Sequence, residues 1–181
     1  IEINPDYAIA YYNLGIILID IGKLKEAELS TRKAIEIKPN FADAYLNLGS
    51  ILIDIGKSKE AEIPTRKAIK IRPSFSKAYS NLGIIMMDLN KPKEAFNAFL
   101  ESIKISPEKS VNYSLITEFL KESDISLLNK INLKYILSIL FQRNDISHKS
   151  LFKACNFLYQ GILAENLAYI KEDHDKENIF F

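Results

Sequence analysis

The chain of 181 residues has little of several features that mark particular classes of protein. It has one cysteine, Cys155, so no internal disulfide can form, and a reducing, cytoplasmic setting is predicted. Its formal net charge is only +1, which disfavours the strongly basic class of nucleic-acid-binding proteins. Its most apolar run stops at Asp20, far short of the roughly 20 residues that a bilayer requires, so no membrane span is predicted.

What the sequence does contain is a unit that returns every 34 residues. The same positions carry similar residues in Tyr11–Gly15, Tyr45–Gly49 and Tyr79–Gly83. The second half of each unit also returns, with a Lys-Glu-Ala segment that ends in Ala27, Ala61 or Ala95 and a closing proline at Pro39, Pro73 or Pro107. Such a period predicts helix–turn–helix repeats at residues 6–39, 40–73 and 74–107.

Helical spacing and turn chemistry predict the local structure of each unit. The first helices are expected at about residues 7–20, 41–54 and 75–88, where aromatic, leucine and glycine positions share one face. Glycine inside a helix costs about 1 kcal/mol relative to alanine, which predicts a close helix approach there. The glycines are Gly15, Gly49 and Gly83, and the expected facing residues are Ala27, Ala61 and Ala95. Left-handed helix caps are expected at Gly22, Gly56 and Asn90.

These residues identify a resemblance to the tetratricopeptide repeat (TPR) family over residues 1–107, with tyrosine where the family more often has tryptophan. The resemblance implies an all-α fold, a right-handed TPR-type α-solenoid. Residues 1–5 match the end of the next unit, Ile35 to Pro39, and are interpreted as the tail of a preceding repeat. On this interpretation the chain is a fragment of a longer protein.

Beyond residue 107 the repeat becomes irregular. Tyr113 keeps the aromatic position but Thr117 replaces the glycine, which predicts a degenerate fourth unit from about 108 to 121. Two further amphipathic helices are predicted at about 125–142 and 147–172, the second capped by Ser147. Residues 108–181 are therefore expected to form a divergent helical C-terminal cap of the solenoid.

The family resemblance implies a groove, lined by the first helices, that binds a segment of a partner protein. Asn13, Asn47 and Asn81 occupy the same position of successive units, and this asparagine row resembles the repeats of O-linked N-acetylglucosamine transferases, where such a row holds extended peptide. An acidic, partly apolar groove favours basic or amphipathic partners. The expected partner-binding residues are Asn13, Asn47 and Asn81, then Asp20, Asp54 and Asp88, and beside them Tyr12, Ile16, Leu46 and Ile84.

The carboxylate clamp of chaperone-binding family members is not reproduced. Its basic and amide positions fall on Tyr12, Ile16, Asn47, Lys77 and Asn81, of which only Asn47 and Lys77 fit. Recognition of a C-terminal carboxylate is therefore disfavoured.

No catalytic, cofactor or metal site is predicted. Cys155 and His148 are seven residues apart, but Cys155 lies among apolar residues and is interpreted as a core thiol. His174, in an acidic run, is interpreted as solvated. Two alternatives remain open: a recruiting arm of a glycosyl-, sulfo- or methyltransferase, which the resemblance implies by analogy, and weak self-association through an exposed end of the array.

Overall fold

The structure, a computed structural model, describes residues 5–160 except for the side chains of Pro5, His148 and Ser150. All regular elements within this range are helical, which confirms the predicted all-α class. The chain divides into two compact units, Ile1–Leu115 and Ile116–Phe181. None of the described helices is long and apolar enough to cross a membrane.

The first unit consists of helical hairpins, and the three predicted first helices agree with the structure to within two residues. The helices are α1 (Pro5–Asp20), α2 (Leu24–Ile37), α3 (Ala42–Asp54), α4 (Ser58–Ile71), α5 (Ser76–Asp88), α6 (Pro92–Ile105) and α7 (Ser110–Glu122). The first unit ends at Leu115 and so includes only the beginning of α7. Each first helix packs on its own second helix, and α2 and α4 also pack on the next first helix, α3 and α5. This is the predicted α-solenoid of stacked hairpins.

The turns inside the hairpins have the predicted left-handed caps. Gly22, Gly56 and Asn90 have φ angles of 75°, 76° and 56°. After α1 the Gly22 N–H donates to the Ile19 carbonyl at 2.9 Å and the Lys23 N–H donates to the Leu18 carbonyl at 2.8 Å. These two bonds form a Schellman motif, which satisfies carbonyls that the helix end would otherwise leave unpaired.

The helices of each hairpin approach closely at the glycines, as predicted, but the facing residue was predicted wrongly. A Cβ atom added to Gly15 would lie 2.7 Å from the Thr31 hydroxyl oxygen, and one added to Gly83 would lie 2.6 Å from Cδ1 of the Phe99 ring. The corresponding residue opposite Gly49 is Thr65. Ala27 and Ala61 contribute a backbone carbonyl at 3.6 and 3.8 Å instead, because the closest approach falls one helical turn after them. Space for a Cβ is therefore missing at these glycines.

Two buried clusters at equivalent positions of successive repeats differ in chemistry: the first is apolar and the second is polar. Leu46, Ala68 and Ala78 form a buried apolar cluster between α3, α4 and α5. The residues 34 positions later are Ser80, Ser102 and Asn112, which are also buried. The Ser80 and Ser102 hydroxyls are 2.7 Å apart, Ser80 donates to the Asn112 Oδ1 at 3.1 Å, and the Asn112 Nδ2 donates to the Ser102 and Ser106 carbonyls at 3.2 Å. Because its members hydrogen-bond to one another, this cluster avoids most of the cost of burying polar groups.

The second unit is more broken than predicted. The expected helix at 125–142 is a 3₁₀ turn, Ile125–Leu127, followed by α8, Lys130–Leu140. The break arises because Asn129 caps α8, where its side chain accepts from the Asn132 N–H at 3.0 Å.

The next helix begins with a 3₁₀ turn, His148–Leu151, and continues through residues 152–160. Ser147 precedes it as predicted but makes no side-chain capping bond, and the expected continuation to residue 172 lies outside the described residues.

Candidate peptide-binding groove

The groove stripe is the face of α1, α3 and α5 that carries the predicted rows of asparagine and aspartate. In α3 it consists of Asp43, Asn47, Ser50 and Asp54, whose spacing of four, three and four residues keeps them on one helix face. α1 contacts α3 and α3 contacts α5, so equivalent residues lie on neighbouring helices. The equivalent residues are Ile9, Asn13, Ile16 and Asp20 in α1 and Lys77, Asn81, Ile84 and Asp88 in α5.

The three asparagines of the stripe differ in what they can offer a partner. Asn13 is exposed and Asn47 is half-buried, and neither amide hydrogen-bonds to a described residue. Asn81 is only 8% exposed, and its Nδ2 donates to the Ser50 hydroxyl at 2.8 Å. Asn47 lacks this bond because the position equivalent to Ser50 one repeat earlier is Ile16. The predicted row of three amides therefore has two that are free and one that joins α5 to α3.

The three aspartates are each the last residue of a first helix, and all three are exposed. Asp20 and Asp54 have no ion pair or hydrogen bond with any described residue, whereas Asp88 accepts a hydrogen bond from the Ser58 hydroxyl at the start of α4. No basic residue occupies the last turn of α1, α3 or α5. The carboxylates therefore add negative charge at the negative end of each first-helix dipole.

The predicted apolar contacts are divided between the stripe and the core. Ile16 and Ile84 are half-exposed on the stripe. Leu46 is 4% exposed and packs with Phe75 in the apolar cluster, so it is a core residue and does not line the groove. Tyr12 occupies the same repeat position as Leu46 and is half-buried, with its ring centroid 4.8 Å from that of Phe41.

A group of charged and aromatic residues at the other end of the stripe was not predicted. The Arg72 guanidinium donates to both carboxylate oxygens of Asp43, at 3.0 and 2.7 Å, and lies 4.4 Å from the centre of the Phe75 ring. Lys38, one repeat before Arg72, lies over the Phe41 ring at 4.8 Å. The sequence signal was the return of a cation three residues before a phenylalanine, at Lys38 and Arg72.

These groups influence the ionisation of Tyr12. Burial raises the pKa of the Tyr12 hydroxyl, the Asp43 carboxylate raises this pKa further, and the Arg72 guanidinium partly opposes both effects. Tyr12 is therefore held neutral, as a hydrogen-bonding group between the apolar and charged parts of the stripe.

The remaining candidate residues do not form a site in the described part of the chain. Cys155 is half-buried, and burial raises the pKa of its thiol, which reduces its reactivity as a nucleophile. It lines a cavity of about 340 Å³ with Leu137, Phe141 and Leu158, all in the second unit. His174 and the side chain of His148 lie outside the described residues. Among those described, no three His, Cys, Asp or Glu side chains form a group that suits a metal ion.

Three solved structures show the same fold at low sequence identity. The first TPR of Spaghetti (RPAP3), bound to the HSP90 peptide SRMEEVD, has a TM-score of 0.63 and 22% identity, over 66% of this chain and 94% of that one. The Arabidopsis OM64 TPR domain has a TM-score of 0.64 and 20% identity, over 66% and 99% of the two chains. The second TPR domain of human RPAP3, in complex with the HSP70 peptide SGPTIEEVD, has a TM-score of 0.63 and 24% identity, over 66% and 100%.

Family models agree with these structures, although no curated protein sequence matches the chain. Three separate models, each described as a tetratricopeptide repeat, match residues 8–41, 31–63 and 76–109. The first and third matches follow the hairpins α1–α2 and α5–α6, and the second runs from within α2 through α3 into α4. The chain therefore belongs, through residues 8–109, to the tetratricopeptide repeat family.

Proposed function

We propose that this protein is an interaction module and that the groove stripe binds a segment of a partner protein. The observation that carries the proposal is the set of unpaired polar groups on one face: the amides of Asn13 and Asn47 and the carboxylates of Asp20 and Asp54. An amide both donates to and accepts from a peptide backbone, so Asn13 and Asn47 suit a partner segment of varied sequence.

The charges of the stripe favour a basic or amphipathic segment. Asp20 and Asp54 lie at negative helix ends with no neutralising partner among the described residues, and Ile16 supplies apolar surface between Asn13 and Asp20. A cationic side chain of a partner would remove the repulsion between these carboxylates and the helix dipoles.

The peptides bound by the two RPAP3 domains end in Glu-Glu-Val-Asp, and we propose a different preference here. At the clamp positions Tyr12 packs against Phe41, Ile16 is apolar and Asn81 is bonded to Ser50. Only Asn47 and Lys77 remain to hold a carboxylate, and Coulomb repulsion from Asp20 and Asp54 opposes an acidic ligand.

The test is a binding titration with two labelled short peptides of equal length, one alternating Lys with Leu and one alternating Glu with Leu. We expect fluorescence anisotropy to show binding of the basic peptide, weakened about tenfold by Asp20→Asn with Asp54→Asn, which corresponds to about 1.4 kcal/mol. Raised salt is expected to weaken binding further, because exposed charges are screened.

Two further variants separate the groove from general charge effects. Asn13→Ala with Asn47→Ala is expected to weaken binding at unchanged helicity. Glu26→Gln is the control, because Glu26 is an exposed acid on α2 that is not part of the stripe, and this variant should leave binding unchanged. Equal loss in the control, or preferential binding of the acidic peptide, would refute the proposed groove.

No observation on the described residues favours the transferase-arm alternative, which stays a prediction. We propose that the chain acts by binding and not by catalysis, and we keep the cytoplasmic location as a prediction from the single thiol of Cys155.

A further inference from the structure

The outward face of α1 is apolar and uncovered within the described residues. Tyr7, Leu14, Ile17 and Ile21 are exposed to 60%, 43%, 56% and 60%. Large apolar residues that are exposed together, and not scattered singly, mark an interaction surface. Apolar residues occupy both this face of α1 and the face toward α2. The segregation of apolar from polar residues is therefore weaker in α1 than in the α-helices α2 to α8.

The chain itself shows what covers such a face. One repeat later Leu14 and Ile17 become Leu48 and Ile51, which are 5% and 0% exposed, and two repeats later they become Leu82 and Ile85, at 7% and 0%. The burial results from the second helix of the preceding repeat.

That covering helix makes equivalent contacts in both places. Tyr45 and Leu48 line one cavity with Arg32 of α2, and Tyr79 and Leu82 line the equivalent cavity with Arg66 of α4. The same contact surface thus occurs three times, and it is covered twice.

We propose that the outward face of α1 packs against the second helix of a further repeat that precedes α1 in the same polypeptide. The face continues an interface that the chain already forms at α2–α3 and α4–α5. A second copy of the chain is a poorer occupant, because its α2 and α4 are already covered by α3 and α5. The expected covering helix resembles α2 and α4, with a small buried residue such as Ala34 or Ala68 followed by an isoleucine such as Ile35 or Ile69.

The experiment compares the 181-residue chain with an extended chain in which a copy of residues 6–39 is inserted between Pro5 and Asp6. The insertion keeps the 34-residue register and places a second α2 sequence in front of α1. We expect the extended chain to show a higher Tm by circular dichroism, since the exposed face becomes buried.

The substitution Ile17→Ala provides the decisive readout. In the 181-residue chain Ile17 is 56% exposed, so the substitution should lower the Tm by no more than about 2 °C. In the extended chain it should lower the Tm by about 5 °C or more, as expected for a buried isoleucine. Ile51→Ala is the matched control and should have the larger effect in both chains, because Ile51 is 0% exposed already.

Two outcomes would overturn the proposal. One is an Ile17→Ala effect that is equally small in both chains, which would mean that a second helix does not cover the face. The other is a dimer of the 181-residue chain, detected by light scattering and abolished by Ile17→Glu, which would make a second copy the occupant. A monomer whose native product, mapped by peptide mass, carries a repeat in front of Ile1 would support it.

Discussion

The substitution Gly83→Ala tests whether close helix approach explains glycine inside the first helices. Alanine should favour the helix by about 1 kcal/mol over glycine. The added Cβ would, however, lie 2.6 Å from Cδ1 and 2.7 Å from Cζ of Phe99, and closer still to Cε1, where an ordinary contact begins at 3.4 Å. Phe99 is 1% exposed, so its ring has no free space into which to move.

The structure gives the sign and size of the expected effect. Overpacking a core typically costs about 1–3 kcal/mol, and three rigid ring carbons place this site at the upper end. After subtraction of the helix gain, Gly83→Ala should lower the free energy of unfolding by about 2 kcal/mol. In a Phe99→Ala background the clash is gone, and the same substitution should instead raise that free energy by about 1 kcal/mol.

Urea unfolding followed by far-ultraviolet circular dichroism measures all four members of this double-mutant cycle. Gly22→Ala is the control, because Gly22 has a φ of 75° and a Cβ there would meet no atom within 4 Å. It should cost about 1–2 kcal/mol through backbone strain alone, with or without Phe99. If Gly83→Ala destabilises equally in both backgrounds, the account of close approach to Phe99 is wrong.

Three further predictions concern other residues of the first unit. The triple substitution Ser80→Leu, Ser102→Ala and Asn112→Ala copies the apolar cluster one repeat earlier and should change the free energy of unfolding by less than about 1 kcal/mol. Asn112→Ala alone should lower that free energy by about 1–3 kcal/mol, because it leaves buried polar groups unpaired. Urea unfolding distinguishes the two variants. The pKa of Tyr12 is raised in the folded state, so the contribution of Tyr12 to stability is present below its unfolded-state pKa of about 10 and is lost as the pH rises through the folded-state pKa. The Tm measured at increasing alkaline pH should therefore fall less steeply in Tyr12→Phe than in the unsubstituted chain. Arg72→Ala should cost no more than about 1 kcal/mol in the same melts, since the Arg72 side chain is 45% exposed.

Most of the fold was predictable because the repeat places helices, caps and prolines at fixed intervals. The aspect that escaped prediction is what each repeat position contacts in the neighbouring repeat. Asn81 was expected on the groove with Asn13 and Asn47, but its amide is hydrogen-bonded to Ser50. Asn47 stays free because the equivalent of Ser50 one repeat earlier is Ile16, which cannot form this bond. Such pairs depend on residues 31 positions apart, outside any local pattern.

Leu46 shows the same limit for apolar residues. Its position is held by Tyr12, Leu46 and Ser80 in successive repeats, so the sequence suggests a variable surface site. In the structure the three side chains are all partly or fully buried, against Phe41, Phe75 and Asn112. What varies is the chemistry of the residue that packs against this position, and the side chain is at least half-buried in all three repeats.

The change from an apolar to a polar cluster along the array also restricts how the gene can gain or lose repeats. Loss of the second unit, residues 40–73, would bring Ala78 against Tyr12 and Ala34, so that one largely apolar junction replaces another. Loss of the third unit, residues 74–107, would instead bring the amide of Asn112 against Leu46 and Ala68, where it has no hydrogen-bonding partner. Changes in array length are therefore expected on the N-terminal side of α5, and the junction that contains Asn112 marks the fixed end of the array.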